Sequence, residues 1–439
     1  MVDYVKYILP ANLALIEKRR MVQNFFDISN YTNTSNEMII KLNSSADYIN
    51  FSNSYLVFGA KVPTTGFVSV GADQVTFPDS AGAMALFSRM LIESKDGSEI
   101  SRIDGLNYYA RNRLGLRCPS DHLQTLASEA GILEGVNNAV NAKYPNNDVF
   151  GHGENLYNNE VRYVIPMWYF ADFFGHQNKL APPQLTSGMR IRLTLAAPQD
   201  CLVSQGADQT ITAANYEINN PRLVTDNNQL SPLVQRKLME IAGNQGLDYV
   251  YRDAWYSVRQ FTDNQVNFEV NKSVSRAMGI QWIVQLNGDG AQQRPAAFYP
   301  HLAPSEDTST RQQVRLGDLY FPQQPLESAS ADVKENYHHT QVGVKMVNHC
   351  QYQNKITYAD YKGRNVAVQK GMADNNYGIH YQTLERSSVL DYSGLPINNS
   401  RTLAINCNYS TAVEPRVIYG WLEFIKLAKV FARNTVIKE

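Results

Sequence analysis

The chain has 439 residues, 44% of them hydrophobic and 18% charged. That is too long for one ordinary domain, suits two of about 200 residues, and excludes a disordered polypeptide. Forty basic against forty-one acidic residues leave a net charge of −1, without the basic excess that electrostatic coating of nucleic acid requires.

Residues 1–25 read as an arm carrying a short amphipathic helix over 11–23, capped by Asn12. A helix that short needs something to dock on. The apolar stretch 7–16 is broken by Pro10 and Asn12 and followed by charge, so no secretory signal is expected. No run reaches the roughly 20 apolar residues of a membrane span, and a soluble product made inside a cell is expected. Lys18, Arg19 and Arg20 form the chain's one basic cluster. They read either as a solvated helix end or as a contact to nucleic acid, lipid headgroups or a neighbouring subunit.

Strands are expected over 37–42 and 55–62, the second ended by Pro63, and over 84–94 and 99–103. The last two are joined by Lys95-Asp96-Gly97, which is hairpin-turn chemistry. Helical spacing follows over 105–116 and 120–133, the latter with Ser120 and Asp121 as candidate caps. Residues 135–158, rich in Asn and Gly, read as a surface loop. The stretch 161–197 organises the chain. A β-prone run over 161–167 leads into Trp168, Tyr169, Phe170, Phe173 and Phe174. A proline-bearing segment follows, and then a strand in which Met189, Ile191, Leu193 and Leu195 alternate with Arg190, Arg192 and Thr194. Alternation of period two marks a sheet with one buried face, and the aromatic block reads as core packing.

Beyond it come a strand over 216–225, a helix over 231–242 and a strand over 249–261. The second half offers strands over 266–270, 278–286 and 313–321, a helix over 328–340, and a polar, tyrosine-rich excursion over 348–395. Strands over 401–408 and 417–436 close it; the β-branched and aromatic content of the last run favours strand over helix. The halves share an order of parts without sharing residues. The expected fold is therefore all-β: two tandem eight-stranded jelly-roll β-sandwiches with short inserted helices. The division is an arm over 1–25, a first roll over 26–262 including the linker helix near 231–242, and a second roll over 263–439. Immunoglobulin-like modules, at about 100 residues with short loops, fit worse.

Three stretches carry a resemblance to a known family. They are the unit Trp168–Phe174 leading through Leu180 and Pro182 into the 189–195 strand, the segment 215–227 (NYEINNPRLVTDN), and the segment 390–407 followed by the terminal WLEFIKLAKV. In these the chain resembles the double jelly-roll major capsid proteins of the adenovirus, Polinton/Maverick, virophage and large-DNA-virus lineage, patchily but from about Met38 onward. It is short for that lineage, like its Polinton-like and virophage-like members. The resemblance implies a structural protein of an icosahedral virion. It implies a homotrimer with a pseudo-hexagonal footprint that meets neighbouring capsomers and minor capsid or penton proteins. It also implies an arm beneath the shell, directing Lys18, Arg19 and Arg20 towards a neighbour, an internal membrane, packaged nucleic acid or a minor protein.

Reactive chemistry is not legible. The eight histidines sit in no HExxH pattern. Cys118, Cys201, Cys350 and Cys407 form no CxxC pair and read as buried free thiols in a reducing compartment. His338 and His339 point to different faces of a helix, and Asn348-His349-Cys350 is poor geometry for a thiol–imidazole pair. No GxSxG elbow, P-loop or GxGxxG is present, and Asp289, Asp307 and Asp318 are too dispersed for a calcium loop. No catalytic residue, metal or cofactor is assigned, and a non-enzyme is expected. The alternative is a carbohydrate-binding or carbohydrate-hydrolysing β-sandwich using Trp168, Trp255, Trp282 and Trp421. Hydrolysis needs two carboxylates roughly 5–10 Å apart, which the sequence does not locate, and all four tryptophans adjoin apolar runs. A spike or fibre protein would share the sandwich without needing the duplication.

Overall fold

In a computed structural model the described residues are 16–35, 37–43, 45–63, 75–77, 81–118, 129–132, 156–175, 179–204, 215–286, 309–327, 333–344, 356, 358, 361, 379–386, 393–398, 401–409, 415–431 and 434–439. Eight long strands build a first sandwich: β1 (Ile16–Phe25), β2 (Glu37–Lys41), β3 (Tyr48–Lys61), β4 (Phe87–Glu93), β5 (Glu99–Asp104), β6 (Val161–Pro166), β7 (Arg190–Leu195) and β8 (Glu217–Leu230). One of its sheets runs β1-β8-β3-β6 and the other β2-β7-β4-β5, with every pairing antiparallel.

The second sandwich follows with β9 (Leu247–Phe261), β10 (Gln265–Val270), β11 (Val274–Leu286), β12 (Ser309–Leu316), β13 (Leu319–Glu327), β14 (His380–Thr383), β15 (Leu403–Tyr409) and β16 (Arg416–Val430). Its sheets run β9-β16-β11-β14, with the short strands Leu395–Ile397 and Thr435–Lys438 added to β11 and β16, and β10-β15-β12-β13. Adding eight to each strand number converts the first pair of sheets into the second. The longest helix within each sandwich obeys the same rule: α1 (Leu106–Arg117) joins β5 to β6, and α3 (Lys334–Gly343) joins β13 to β14. Helix α2 (Pro232–Asn244) links the sandwiches, with Pro232 in its first turn, where the missing N–H costs nothing.

Alternation decides which side chains go inside. In β7, Ile191, Leu193 and Leu195 are buried between outward Arg190, Arg192 and Thr194; in β10, Val266, Phe268 and Val270 alternate with exposed polar residues. The aromatic block is core, as its composition implies: Phe170, Phe173 and Phe174 are buried, and Phe51 meets Phe174 edge-on at 5.1 Å. The second sandwich has its own core around Phe268, Trp282, Ile405 and Leu422. The first core is larger and runs across the junction to Tyr249, Tyr251 and Trp421.

Four expectations change. Residues 16–25 are strand and not helix; β1 pairs with β8 from Ile16–Leu230 to Phe25–Arg222. Backbone pairing with a neighbouring strand has overridden the helical preference of a Glu-, Lys- and Arg-rich segment. Accordingly 16–25 belongs to the first sandwich and is not a separate arm. The 247–261 strand, assigned to the first roll, is β9 of the second, paired with β16 along its length from Leu247–Val430 to Phe261–Arg416. The single strand expected over 313–321 is the β12–β13 hairpin, turning at Gly317 (φ 59) and Asp318. The closing run is β16 followed by a separate strand, Thr435–Lys438, that folds back on it. The helix over 120–133 and the long segments 135–158 and 348–395 lie mostly outside the described residues.

Candidate functional site

The most elaborate chemistry in the chain lies in the seam where β9 and β16 of the second sandwich meet β5, α1 and the 172–174 turn of the first. Gly105 caps α1 with φ 61, a left-handed conformation that favours glycine. A Cβ there would stand 3.1 Å from the Tyr256 ring and 3.2 Å from that of Trp421, so the cap also lets the second sandwich come close.

Helix α1 carries Arg113 and Arg117 one turn apart, hence on one face. Arg113 donates through Nη1 to the Trp168 carbonyl at 2.5 Å and through Nε to Asp172 Oδ1 at 3.1 Å. Arg117 donates to Asp172 Oδ2 at 3.1 Å and forms an ion pair with Glu423 of β16, which is 1% exposed. Tyr381 donates to the same Glu423 carboxylate at 3.1 Å and Tyr109 at 3.4 Å. Burial pushes the Asp172 carboxyl up, but Arg113 and Arg117 outweigh it and hold the group well below the usual carboxylate range.

A second ionic cluster lies further along the seam. Lys426 of β16, 3% exposed, pairs with Asp253 of β9 at 2.8 Å and with Glu439 at 3.2 Å. Ser101 of β5 donates to Asp253 at 2.8 Å, and both Lys426 (3.4 Å) and the Tyr251 hydroxyl (2.6 Å) donate to the Ile100 carbonyl. Burial dominates Asp253 and raises its carboxyl despite Lys426. Trp421 donates to the Asp104 carbonyl at 3.1 Å and Tyr249 to that of Phe173 at 2.8 Å. Each charge buried in this seam is paired or hydrogen-bonded, which is the condition for tolerating it. The arrangement supplies cohesion; it presents no open nucleophile.

The basic cluster is elsewhere. Lys18, Arg19 and Arg20 lie on exposed β1, where Arg19 pairs with buried Asp226 at 2.8 Å and Arg20 with Asp47 at 2.5 Å. Two of the three charges therefore tie the edge strand to its own sheet, while the Lys18 side chain stands exposed. Of the histidines, His380 is buried, stacked on Trp282 at 5.2 Å, with its Nδ1 3.1 Å from the Tyr361 hydroxyl. Burial pulls it down to about 3. His338 is exposed and His339 half-buried on α3; His122, His152, His176, His301 and His349 lie outside the described residues. Among the described residues no group of three His, Cys, Asp or Glu is placed to hold a metal ion. Cys118, Cys201 and Cys407 are buried free thiols, and Cys350 lies outside the described residues.

The tryptophans do not form a platform. Trp282 and Trp421 are buried and Trp168 packs against the core, whereas Trp255, expected inside, is 36% exposed with Lys272 4.8 Å from its ring. An open, mostly apolar cavity of about 380 Å³ lies under α2, lined among others by Ile16, Leu230, Val234, Leu238 and Leu247.

The signal for the seam was present in the sequence in one form only: Glu423 and Lys426 stand within the otherwise apolar run 417–428, a pattern that requires buried partners. Which partners these are depends on pairings across some 170 to 300 residues.

Two antiparallel eight-strand sandwiches repeated strand for strand define the class as a double jelly roll. Solved structures share it over nearly the whole chain. The major capsid protein of Faustovirus superposes with a TM-score of 0.59 at 10% identity, covering 94% of this chain and 90% of that one. PBCV-1 VP54, as fitted into a reconstruction of the virophage Sputnik, gives 0.58 at 10% identity with 96% of each chain covered. The mavirus major capsid protein gives 0.51 at 10% identity, covering 100% and 95%. No protein-family model and no curated protein sequence matches the chain. At such identity the likeness is one of fold.

Proposed function

We propose that the chain is a major capsid protein, a structural subunit of an icosahedral viral shell. The observation that carries the reading is the strand-for-strand duplication, in a fold similar over nearly the whole chain to the major capsid proteins of Faustovirus and mavirus. Three copies contribute six similar sandwiches, which gives a three-fold capsomer a nearly hexagonal outline and lets it tile a closed surface. A cyclic assembly of this kind uses head-to-tail contacts that close on themselves, and obligate contacts commonly bury more than about 2,000 Å². On this reading the place of action is the virion, the partners are copies of the chain, neighbouring capsomers and minor capsid proteins, and the role is not enzymatic. Arg19 and Arg20 anchor β1, and Lys18 is left to meet a neighbour. A carbohydrate-active reading lacks its exposed aromatic platform, because Trp282 and Trp421 are inside.

The test is the state of the purified chain. Sedimentation is expected to give a three-copy species without monomer at micromolar concentration, and micrographs to show hexagonal particles that pack into sheets or shells. A stable monomer, above all one that binds an oligosaccharide, would overturn the proposal.

A further inference from the structure

The linker helix α2 has an apolar face without a matching floor. Val234, Leu238 and Ala242 recur at a spacing of four and share one side, with Met239 and Ile241 flanking it. Of these only Ala242 is buried; Val234 and Leu238 are half-buried, and Met239 and Ile241 are 44% and 43% exposed. Beneath them is the cavity of about 380 Å³, walled by Tyr48, Leu180 and Leu230 of the first sandwich and by Leu247 and Tyr249 of the second. A space of roughly 150 Å³ already admits a benzene ring, so this one has room for several aliphatic side chains. A helix of 13 residues is marginal on its own and takes its stability from packing.

The occupant is named by the place where the described residues begin. Ile16, the first residue of β1, is itself part of the wall and is paired with Leu230. Consecutive Cα atoms are about 3.8 Å apart, so Leu13 stands no more than about 11 Å from Ile16 by any path of the chain. Residues 1–15 lie outside the described residues; their sequence is MVDYVKYILPANLAL, in which Asp3 and Lys6 are the only charges. Among the described residues of the wall only Lys179 and Asp248 are charged, one of each sign. The segment and the wall are thus alike in being apolar with one charge of each sign to match. A segment tethered at the rim of its site is present at an effective concentration on the order of millimolar, against which a free apolar ligand competes poorly.

We propose that residues 13–15 occupy the cavity under α2 of the same molecule, with Leu13 and Leu15 as the apolar anchors, and so pin the linker against both sandwiches. This goes beyond the shell reading, because the contact lies within one molecule and holds however the copies assemble. With the pin in place α2 is seated; with it withdrawn the helix opens locally while both sandwiches stay folded.

Leu13→Asp/Leu15→Asp tests this, with Leu13→Met/Leu15→Met as the conservative partner. Hydrogen exchange over residues 232–244, read by mass spectrometry, is expected to be at least tenfold faster in the aspartate variant and unchanged in the methionine variant. The melting midpoint, set by the sandwiches, is expected to match the unaltered protein in both. Equal exchange across α2 in the aspartate variant and the unaltered protein overturns the proposal, as does equal loss of protection in the two variants. As a second measurement, a Leu13→Cys/Val234→Cys chain treated with a short bis-maleimide is expected to yield the joined peptide pair from single, unlinked molecules. An absence of that pair overturns the proposal, and so does a pair found only between copies, which would give the cavity to a neighbour's segment. Dodecanoate is the probe for a free ligand and is expected to leave exchange across α2 of the unaltered protein unchanged; protection by it would show a cavity open to acyl chains and overturn the pin. A monomeric protein would end the shell reading and leave this contact standing.

Discussion

Arg117 and Glu423 show how a few side chains hold two sandwiches together. Glu423 is almost fully buried, and Arg117 is the cation that compensates it. Arg117→Met is expected to destabilise the protein by about 3–5 kcal/mol, the scale for stranding a buried charge, read as a lower denaturation midpoint in urea. Adding Glu423→Gln should restore part of that loss. His380 makes the other residue-scale prediction. It is held neutral in the folded protein at about 3, against an ordinary 6.5, because it is buried against Trp282. The unfolded chain takes up a proton first as pH falls, so this contribution is complete above pH 6.5 and is lost from there down towards the folded value. The slope is at most about 1.4 kcal/mol per pH unit. Denaturation midpoints measured between pH 6.5 and 5, above the range where carboxylates titrate, should fall less steeply in His380→Gln, whose amide can still meet the Tyr361 hydroxyl.

Among the elements, β1 carries the most consequence. It is exposed on much of both faces, yet it completes the edge of β8, and its arginines neutralise Asp226 and Asp47, both largely buried. Deleting residues 1–25 is expected to leave those carboxylates without their cations and the β8 edge open to mispairing. Deleting 1–15 alone should spare both. The longer truncation should lose soluble yield and lower the melting midpoint by several degrees, equivalent to roughly 2 kcal/mol in a domain of this size, while the shorter one melts like the full chain. β1 also marks the limit of sequence reading. Strands with a strict two-residue alternation, such as β7 and β10, were legible because burial of one face wrote the pattern. Helix α1 was legible from its spacing. β1 buries little, so no pattern was written into it, and its charged residues suggested a helix. The β12–β13 turn did leave a sign, Gly317-Asp318 between apolar residues, a two-residue hairpin signature.

At the scale of the whole molecule, duplication of parts was legible, but its phase was not. β9 reads as a strand wherever it is assigned, and its placement depends on β16, some 170 residues away. The seam was legible only as Glu423 and Lys426 embedded in an apolar run.

The ionic clustering inside the seam has a further consequence for when each joint can form. Bringing Arg117 to Glu423 and Lys426 to Asp253 strips water from four charged groups, a cost several kcal/mol per ion before the pairing is made. A covalent tether through α2 keeps the two halves at high effective concentration while that barrier is crossed. Two free molecules have no such help. The chain thus closes its ionic lock within a single molecule, where the tether does most of the work of bringing the charges together.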